Sequence, residues 1–357
     1  MLKWIPRAVA EGLLVAALGV AALGQTQPAA TPAVSKTAVL GTGTFTGFVE
    51  NMDRSLAFYH DAFGMEVPAL PASGQRPYNQ ANPQLFAMFD IAGAKERHQS
   101  ARVNGTRITV ELMEIQEVPH QTIPFRLQDP GTATLVFMVR DVETVLARAT
   151  HAKATIETPG GKPVTLADNS RAIMIRDLDG RFIELRQPAT PPAGANTDIF
   201  DIRLSITVND MVETKKMYRD VLGFTVEGET AFTAEAAMRS LTGLSKAEVR
   251  RSRVQAPGSM LWIEFVEFKG VGRTPLRMRI QDRGAARLQL RVQDVDAIVT
   301  AMKAGGMKVM SEGGVAQPIP PNFKGALVAD ANNFFLTPFA PCDGCAPTVG
   351  GPVRSAH

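Results

Sequence analysis

The segment TFTGFVENMDRSLAFYHDAFG, residues 44–64, decides the fold because it contains a strand, a helix cap and a helix in one run. Residues 44–49 have strand-like alternation, and Asn51 has a side chain that is preferred at a helix N-cap. Gly64 stands where a left-handed residue ends a helix. The apolar side chains between them recur at helical spacing: Met52, Leu56, Tyr59 and Phe63. The segment therefore predicts a β-strand followed by an amphipathic α-helix.

The same arrangement occurs three more times along the chain. The segments are TLVFMVRD (134–141), RLSITVND (203–210) and RLQLRVQD (287–294), and each ends in an Asp that caps a following helical pattern. Later strands repeat as well, since VELMEI (110–115) matches IEFVEF (263–268) at the same separation that relates 134 to 287. A register kept over this distance indicates a half-chain repeat and four modules of the βαβββ type.

The predicted fold class is α+β, with tandem βαβββ modules paired into two units that have cupped mixed sheets. Residues 177–180 (DLDG) predict a hairpin turn before the last strand of the first unit. Two longer segments, 72–106 and 228–259, lie at equivalent places in the two units and are expected to cover a binding face. The predicted organisation is a signal peptide (1–24), a linker (25–41), unit 1 (42–188), a linker (189–200), unit 2 (201–340) and a C-terminal tail (341–357).

The N-terminus has the pattern of an export signal. Lys3 and Arg7 give a positive start, residues 12–24 are uncharged and mainly apolar, and Ala22-Leu23-Gly24 has the small residues of a cleavage site. The apolar stretch is too short to span a membrane. We therefore predict a secreted or periplasmic protein with no membrane span after cleavage; an uncleaved anchor is the alternative.

Composition and cysteine content limit the remaining choices. The 357 residues carry a formal net charge of +3, and the chain lacks long Lys/Arg runs, which argues against a nucleic-acid partner. The only cysteines, Cys342 and Cys345, are flanked by prolines near the end of the chain. Because export permits disulfides, we predict that they form a local disulfide, rather than a redox or metal site or free thiols.

The repeated motifs resemble the modules of the vicinal-oxygen-chelate superfamily, which contains glyoxalase-like, bleomycin-resistance-like and extradiol-dioxygenase-like proteins. The resemblance rests on the SLAFYHDAFG run (55–64), the KKMYRDVLGF run (215–224) and the DLDGRFIEL ending (177–185), and it covers about residues 42–340. It implies that two modules pair so that their sheets form a cup, which in this family holds a divalent metal and a small substrate.

The family's metal ligands fall on positions that this sequence has changed. The resemblance places a His seven residues before the helix cap, and here those positions are Thr44, Thr134, Arg203 and Arg287. It places a Glu on the last strand of each module, and here those positions are Glu111, Glu184, Glu264 and Thr337. Three glutamates are kept and every histidine is lost, so no resident cofactor is expected.

The two units differ in what remains at these positions. Unit 1 offers Glu111 and Glu184 as hard oxygen donors for a weakly held divalent metal such as Mg²⁺ or Ca²⁺. Unit 2 offers Arg203 and Arg287, which are able to pair with Glu264 or bind a carboxylate or phosphate in a bidentate manner. Thr44 and Thr134 are expected at the ligand face. The histidines predicted nearest to the cup mouth, as acid–base candidates, are His98 and His120.

Three functions remain open from the sequence. The first is a metal-free protein that binds a small, anionic molecule, as a monomer or homodimer. The second is a metal-dependent lyase, isomerase or dioxygenase of the same superfamily. The third is a partner-binding protein of the cell envelope. The lost histidines and the two arginines favour the first, since the site and not the fold determines the function.

Overall fold

A computed structural model of the chain describes residues 35–78, 83–104, 108–192, 198–319, 322–342 and 345. The predicted signal peptide lies outside the described residues, as do most of the first linker and of the tail. The first module contains β1 (Val39–Val49), α1 (Met52–Phe63), α2 (Pro83–Phe89), β2 (Lys95–Arg102) and β3 (Thr109–Gln116). The second contains β4 (Ala133–Val139), α3 (Val142–His151), β5 (Thr155–Ile156), a 3₁₀ turn (Pro159–Gly161), β6 (Val164–Thr165), β7 (Arg171–Arg176) and β8 (Phe182–Gln187).

The second half of the chain repeats this order. The third module contains β9 (Ile199–Thr207), α4 (Met211–Asp220), β10 (Thr225–Glu229), α5 (Ala236–Thr242), β11 (Glu248–Gln255) and β12 (Trp262–Lys269). The fourth contains β13 (Ala286–Val292), α6 (Val295–Ala304), β14 (Lys308–Val309), a 3₁₀ turn (Glu312–Gly314), β15 (Gln317–Ile319), β16 (Phe323–Gly325), β17 (Val328–Ala329) and β18 (Phe335–Pro341). The α+β class and the fourfold recurrence are confirmed.

The helix that opens each module begins at the cap residue that the sequence predicts. The side chain of Asn51 accepts a hydrogen bond from the backbone N–H of Arg54, and Asp141, Asp210 and Asp294 accept from the first turns of their own helices. These bonds satisfy backbone N–H groups that have no partner within the helix. Gly64 ends α1 with a φ of 64°, a left-handed conformation that glycine adopts without steric cost.

Each sheet is built from modules that are not in the same half of the chain. The first sheet has the strand order β14-β17-β18-β13-β1-β3-β2 with β15 and β16 beside it, so it joins modules one and four. The second has the order β10-β11-β12-β9-β4-β8-β7-β5 with β6 beside it, so it joins modules two and three. The antiparallel pairs β1–β13 and β4–β9 connect the modules. The expectation that consecutive modules one and two, and three and four, share a sheet is therefore wrong.

The two faces of each sheet have different surroundings. On β4, Leu135 and Phe137 belong to the core that packs against the module helices, and Phe137 meets Phe63 of α1 with ring centroids 4.8 Å apart. Thr134 and Val136 alternate with them and project from the opposite face. We call this opposite face the cup face, and we call the cup faces of the first and second sheets the first and second cup.

The two long segments place a short helix over each cup, as predicted for them. In the first cup, the Ser311 hydroxyl donates to the carbonyl of Met88 in α2 at 2.8 Å. In the second, the Thr158 hydroxyl donates to the carbonyl of Leu241 in α5 at 2.9 Å. The equivalent contacts show that the pseudo-symmetry extends to the covering helices.

Two further features concern membrane-spanning helices and the two cysteines. Across the residues that the structure describes, no helix has both the length and the apolar character needed to cross a membrane. Cys342 and Cys345 form a disulfide, with their Cα atoms 5.4 Å apart. It closes a very short loop, so it contributes little to the stability of the whole fold.

Candidate functional site

The centre of the first cup is occupied by the side chain of Arg287, which is 4% exposed. Its guanidinium donates to the carboxylate of Glu111 and to the hydroxyl of Thr337, both at 3.4 Å, and to the hydroxyl of Thr46 at 3.3 Å. Thr46 also donates to Glu111 at 2.6 Å. Arg287, Glu111 and Thr337 all stand at positions where the resemblance places metal ligands. A guanidinium therefore lies among these positions and holds them together.

Burial and an aromatic ring complete this environment. The ring of Phe89, at the end of α2, lies 5.0 Å from the Arg287 guanidinium, which is a cation–π distance. Burial lowers the pKa of Arg287 from its ordinary value, and Glu111 opposes that effect. Because an arginine stays protonated at physiological pH even so, the first cup contains a permanent buried cation paired with one carboxylate.

His98 lies beside this cluster on β2. Its Nδ1 is 2.9 Å from a carboxylate oxygen of Glu96, which is buried, whereas the His98 side chain is 43% exposed. The hydrogen bond to Glu96 raises the pKa of His98 above its ordinary value of 6.5; burial opposes this, and Glu111 adds to it. His120 is exposed and its Nδ1 faces the carbonyl of Val118 at 3.2 Å, so of these two candidates the structure places His98, and not His120, at a cup.

We expect His98 to make stability depend on pH. Because its pKa is higher in the folded than in the unfolded chain, its pairing with Glu96 stabilises the fold fully below about pH 6.5, the unfolded value. The stabilisation is lost as the pH rises through the folded-state pKa. Urea denaturation at several pH values measures this, and the dependence should disappear in His98→Asn but persist in the control His120→Asn. Identical pH profiles for wild type and His98→Asn would contradict it.

The second cup contains an open cavity of about 180 Å³. It lies over five neighbouring strands, from β11 through β12, β9 and β4 to β8. Three arginines, one glutamate, one tryptophan and two aliphatic residues line it: Arg186, Arg203, Arg253, Glu264, Trp262, Val136 and Leu204. Its polar groups therefore come from both modules, as expected for a site formed where two modules meet.

Two of the three arginines of this cavity are held in place through their Nε groups only. Arg186 donates from Nε to Glu184 at 2.5 Å, and Arg203 donates from Nε to Asp201 at 2.9 Å. Within the described part of the chain, the Nη groups of both side chains make no hydrogen bond, and the side chain of Arg253 makes neither a hydrogen bond nor an ion pair. The ion pairs orient the guanidinium groups and leave their bidentate edges available to a ligand.

The charges of this cavity are close enough to influence one another. The pKa of Arg186 is raised, because Glu184 and then Glu264 outweigh the lowering effect of burial. The nearest cation to Glu264 is Arg251, whose Nε is 3.8 Å from the carboxylate. That distance allows an ion pair but is too long for a hydrogen bond, so the Glu264 carboxylate keeps its hydrogen-bonding capacity.

The structure separates residues that the sequence placed together. Arg203, Glu264, Thr134 and Glu184 belong to the second sheet, whereas Arg287, Glu111 and Thr44 belong to the first. Arg203 and Arg287 therefore do not form one anion site. Thr44 lies two residues before Thr46, and its backbone N–H faces the Gln289 side chain at 3.5 Å rather than Arg287.

Sequence reasoning missed four residues of these sites. Arg186 follows Glu184 by two positions, Trp262 precedes Glu264 by two, and Thr46 follows Thr44 by two. Because alternate residues of a strand share a face, each was detectable from a neighbour that was already a candidate. Identifying Arg253 required the register of β11 against β12, which places Arg253 directly opposite Glu264.

The divalent metal that the family resemblance implies does not fit either cup. In the first, Glu111 is paired with Arg287; in the second, Glu184 is paired with Arg186, and Arg203 stands at a ligand position. A guanidinium never acts as a metal ligand, and it repels a cation. Glu111 and Glu184, the donors suggested for a weak metal site, lie in different sheets. Among the described residues, no group of three or more His, Cys, Asp or Glu side chains is placed to hold a metal.

Comparisons with known proteins agree with this architecture. The family model described as Glyoxalase/Bleomycin resistance protein/Dioxygenase superfamily matches residues 42–185 and 202–315. Glyoxalase I from Zea mays has a similar structure, with a TM-score of 0.51 and 16% identity over 85% of this chain and 92% of that chain. A putative dioxygenase from Bacillus subtilis has a TM-score of 0.53 and 10% identity over 86% and 87%. Identities this low show the fold alone. A comparison with curated protein sequences gave no match.

Proposed function

The chain belongs to the Glyoxalase/Bleomycin resistance protein/Dioxygenase superfamily, and from this premise we propose that it is an exported protein that binds a small carboxylate-bearing molecule in the second cup. One observation carries the proposal. The cavity contains guanidinium groups whose Nη edges have no partner among the described residues and whose orientation is fixed by ion pairs through Nε.

The guanidinium geometry supports recognition of a carboxylate. The two Nη groups of an arginine, or one Nη with Nε, match the two oxygens of a carboxylate with parallel hydrogen bonds. Since Arg186 and Arg203 are already oriented by Glu184 and Asp201, a ligand loses little affinity to ordering these side chains. Arg253 is exposed at the edge of the cavity and adds a cation where an anion enters.

The same contacts argue against the other functions that the sequence left open. A metal-dependent lyase, isomerase or dioxygenase needs donors that converge on a cation, and here the glutamates of the ligand positions face arginines. A partner-binding role has no specific support in the described surface. Export is supported by the N-terminal sequence pattern, with Lys3 and Arg7 before an apolar stretch. Cell fractionation that finds the protein only in the cytoplasm would contradict that part of the proposal.

We expect the double variant Arg203→Gln, Arg253→Gln to bind carboxylates at least about tenfold more weakly than the wild type. The reason is that each lost hydrogen bond to a charged group is worth about 1.5–3 kcal/mol, and about 1.4 kcal/mol is a factor of ten. A thermal-shift screen with acetate, benzoate, 3-phenylpropanoate and inorganic phosphate identifies the probe, and calorimetric titration then measures its Kd.

The matched control is Arg219→Gln, which removes an exposed arginine of α4 that pairs with Asp220 outside the cavity. It should bind the probe as the wild type does. Failure of every carboxylate to raise the melting temperature of the wild type would overturn the proposal. Equal affinities of the double variant and the wild type would show that the probe binds elsewhere and would also overturn it.

A further inference from the structure

We infer that the ligand of the second cup is a small zwitterion, a molecule with a carboxylate and an amine on one flat apolar body. The inference rests on the proposed function and specifies its ligand class. It follows from three properties of the cavity. Cationic and anionic side chains in it have groups without hydrogen bonds, the positive and negative charges around it are nearly equal in number, and an aromatic side chain forms part of its wall.

The cavity has a carboxylate without hydrogen bonds beside guanidinium groups whose Nη groups are free of hydrogen bonds among the described residues. Glu264 lines it together with the arginines, and its carboxylate accepts no hydrogen bond from the described residues. It stands on β12, next to β9, which carries Arg203, and opposite Arg253 of β11. A simple carboxylate ligand would satisfy the guanidinium groups and would place its own charge near Glu264, which is unfavourable. A ligand that also carries an ammonium group satisfies both signs.

The balance of charge leads to the same ligand class. On the cup face around the cavity, three of the four arginines have a carboxylate partner. Glu184 pairs with Arg186 and Asp201 with Arg203, while Arg251 lies between Glu235 and Glu264. Arg253 has no ion pair, but the strand register places Glu227 and Glu264 opposite it on the two neighbouring strands, so the surroundings have no excess of positive charge. A nearly neutral site with cationic and anionic side chains in different places favours a zwitterion, whose ammonium and carboxylate pair with them, over a phosphate dianion.

The apolar part of the lining indicates the body of the ligand. Trp262 precedes Glu264 by two residues, so its indole lies on the same face, and Val136 of β4 forms another part of the wall. An indole presents a flat apolar surface against which a ring stacks. The cavity volume of about 180 Å³ is below the range of about 300–1,000 Å³ that holds drug-sized ligands. A single-ring amino acid has the required size.

Three matched probes test the inference on the full-length protein. L-Phenylalanine carries both charges, 3-phenylpropanoate lacks the amine, and 2-phenylethylamine lacks the carboxylate. In calorimetric titrations we expect phenylalanine to bind about tenfold more tightly than either analogue. In Glu264→Gln, phenylalanine should bind more weakly and 3-phenylpropanoate more tightly, so that the preference disappears. Trp262→Leu should weaken all ring-bearing probes together.

The outcomes separate this inference from the proposed function. If 3-phenylpropanoate binds at least as tightly as phenylalanine, the inference that the ligand is a zwitterion is wrong, and the proposed carboxylate-binding function stands. The same conclusion follows if Glu264→Gln leaves their ratio unchanged. If phenylalanine, 3-phenylpropanoate and every other carboxylate of the screen all fail to bind, both are wrong. Glu248→Gln is the control, because Glu248 stands on the same sheet but outside the lining of the cavity and pairs with Lys269.

Discussion

Arg287→Ala is expected to lower the free energy of unfolding by about 3–5 kcal/mol, the usual effect of removing one partner from a buried ion pair. The variant leaves the Glu111 carboxylate, which is 14% exposed, without its cation. It also removes the guanidinium that joins Thr46 and Thr337 across the pairing of β1 with β13 and of β13 with β18. Since those strands belong to modules one and four, the loss weakens the junction between distant parts of the chain.

Urea denaturation measures this change, and a second variant identifies its cause. Arg287→Ala combined with Glu111→Ala should recover part of the lost stability, because no uncompensated charge then remains in the cup. Arg219→Ala, at an exposed pair on α4, serves as the control and should change stability by less than about 1 kcal/mol. A loss of less than about 1 kcal/mol in Arg287→Ala would show that the guanidinium does not hold this cup together.

The elements of the fold were predictable because they depend on local patterns. Cap residues such as Asn51 and Asp141 precede helices in the structure as in the sequence, since their side chains bind backbone groups only two or three residues away. The half-chain repeat was predictable for the same reason. Local physics acts identically on each copy, so repeated sequence gives repeated elements.

The pairing of modules was not predictable from these patterns. It is decided by contacts between β1 and β13 that are far apart in sequence, and each module presents a similar strand edge to several partners. The proline-containing segment 189–200 was predicted to separate two units. In the structure it connects β8 to β9, which lie in the same sheet on either side of β4. A short connection thus joins the two modules of the second sheet, and modules one and four complete the first.

The sequence predicted which residues stand at the ligand positions, but it assigned them to the wrong sites. The replacement of imidazoles by Arg203 and Arg287 was visible in the sequence, and so was the charge that these residues bring. Their different environments were not, because they depend on which modules meet. Arg287 is buried under α2, whereas the side chain of Arg203 is 36% exposed at a cavity. An arginine therefore replaces a histidine in both cups with different results. Arg287 forms an ion pair inside the first cup, whereas the Nη groups of Arg203 remain available to a ligand in the second.

Gly47→Ala is expected to destabilise the protein by about 1–3 kcal/mol, because a methyl group at this position would overlap the buried guanidinium of Arg181 and displace it. Arg181 is 1% exposed and donates to the Asp177 carboxylate at 2.9 Å. Displacing the guanidinium separates this buried pair. The other half of the chain shows the alternative solution, since Ile206 and Phe334 stand at the equivalent positions and are both buried apolar residues.

A double-mutant cycle distinguishes this steric conflict from a general loss of strand stability. Arg181→Met should itself destabilise, because it leaves Asp177 buried and unpaired, but adding Gly47→Ala to it should cost much less than in the wild type. We expect a coupling of about 1–3 kcal/mol in urea denaturation. Gly272→Ala is the control: a methyl group there meets no atom within 4 Å, so stability should hardly change. Additive effects of Gly47→Ala and Arg181→Met would mean that the methyl group and the guanidinium do not clash. The guanidinium would then not be the reason why a glycine stands at position 47.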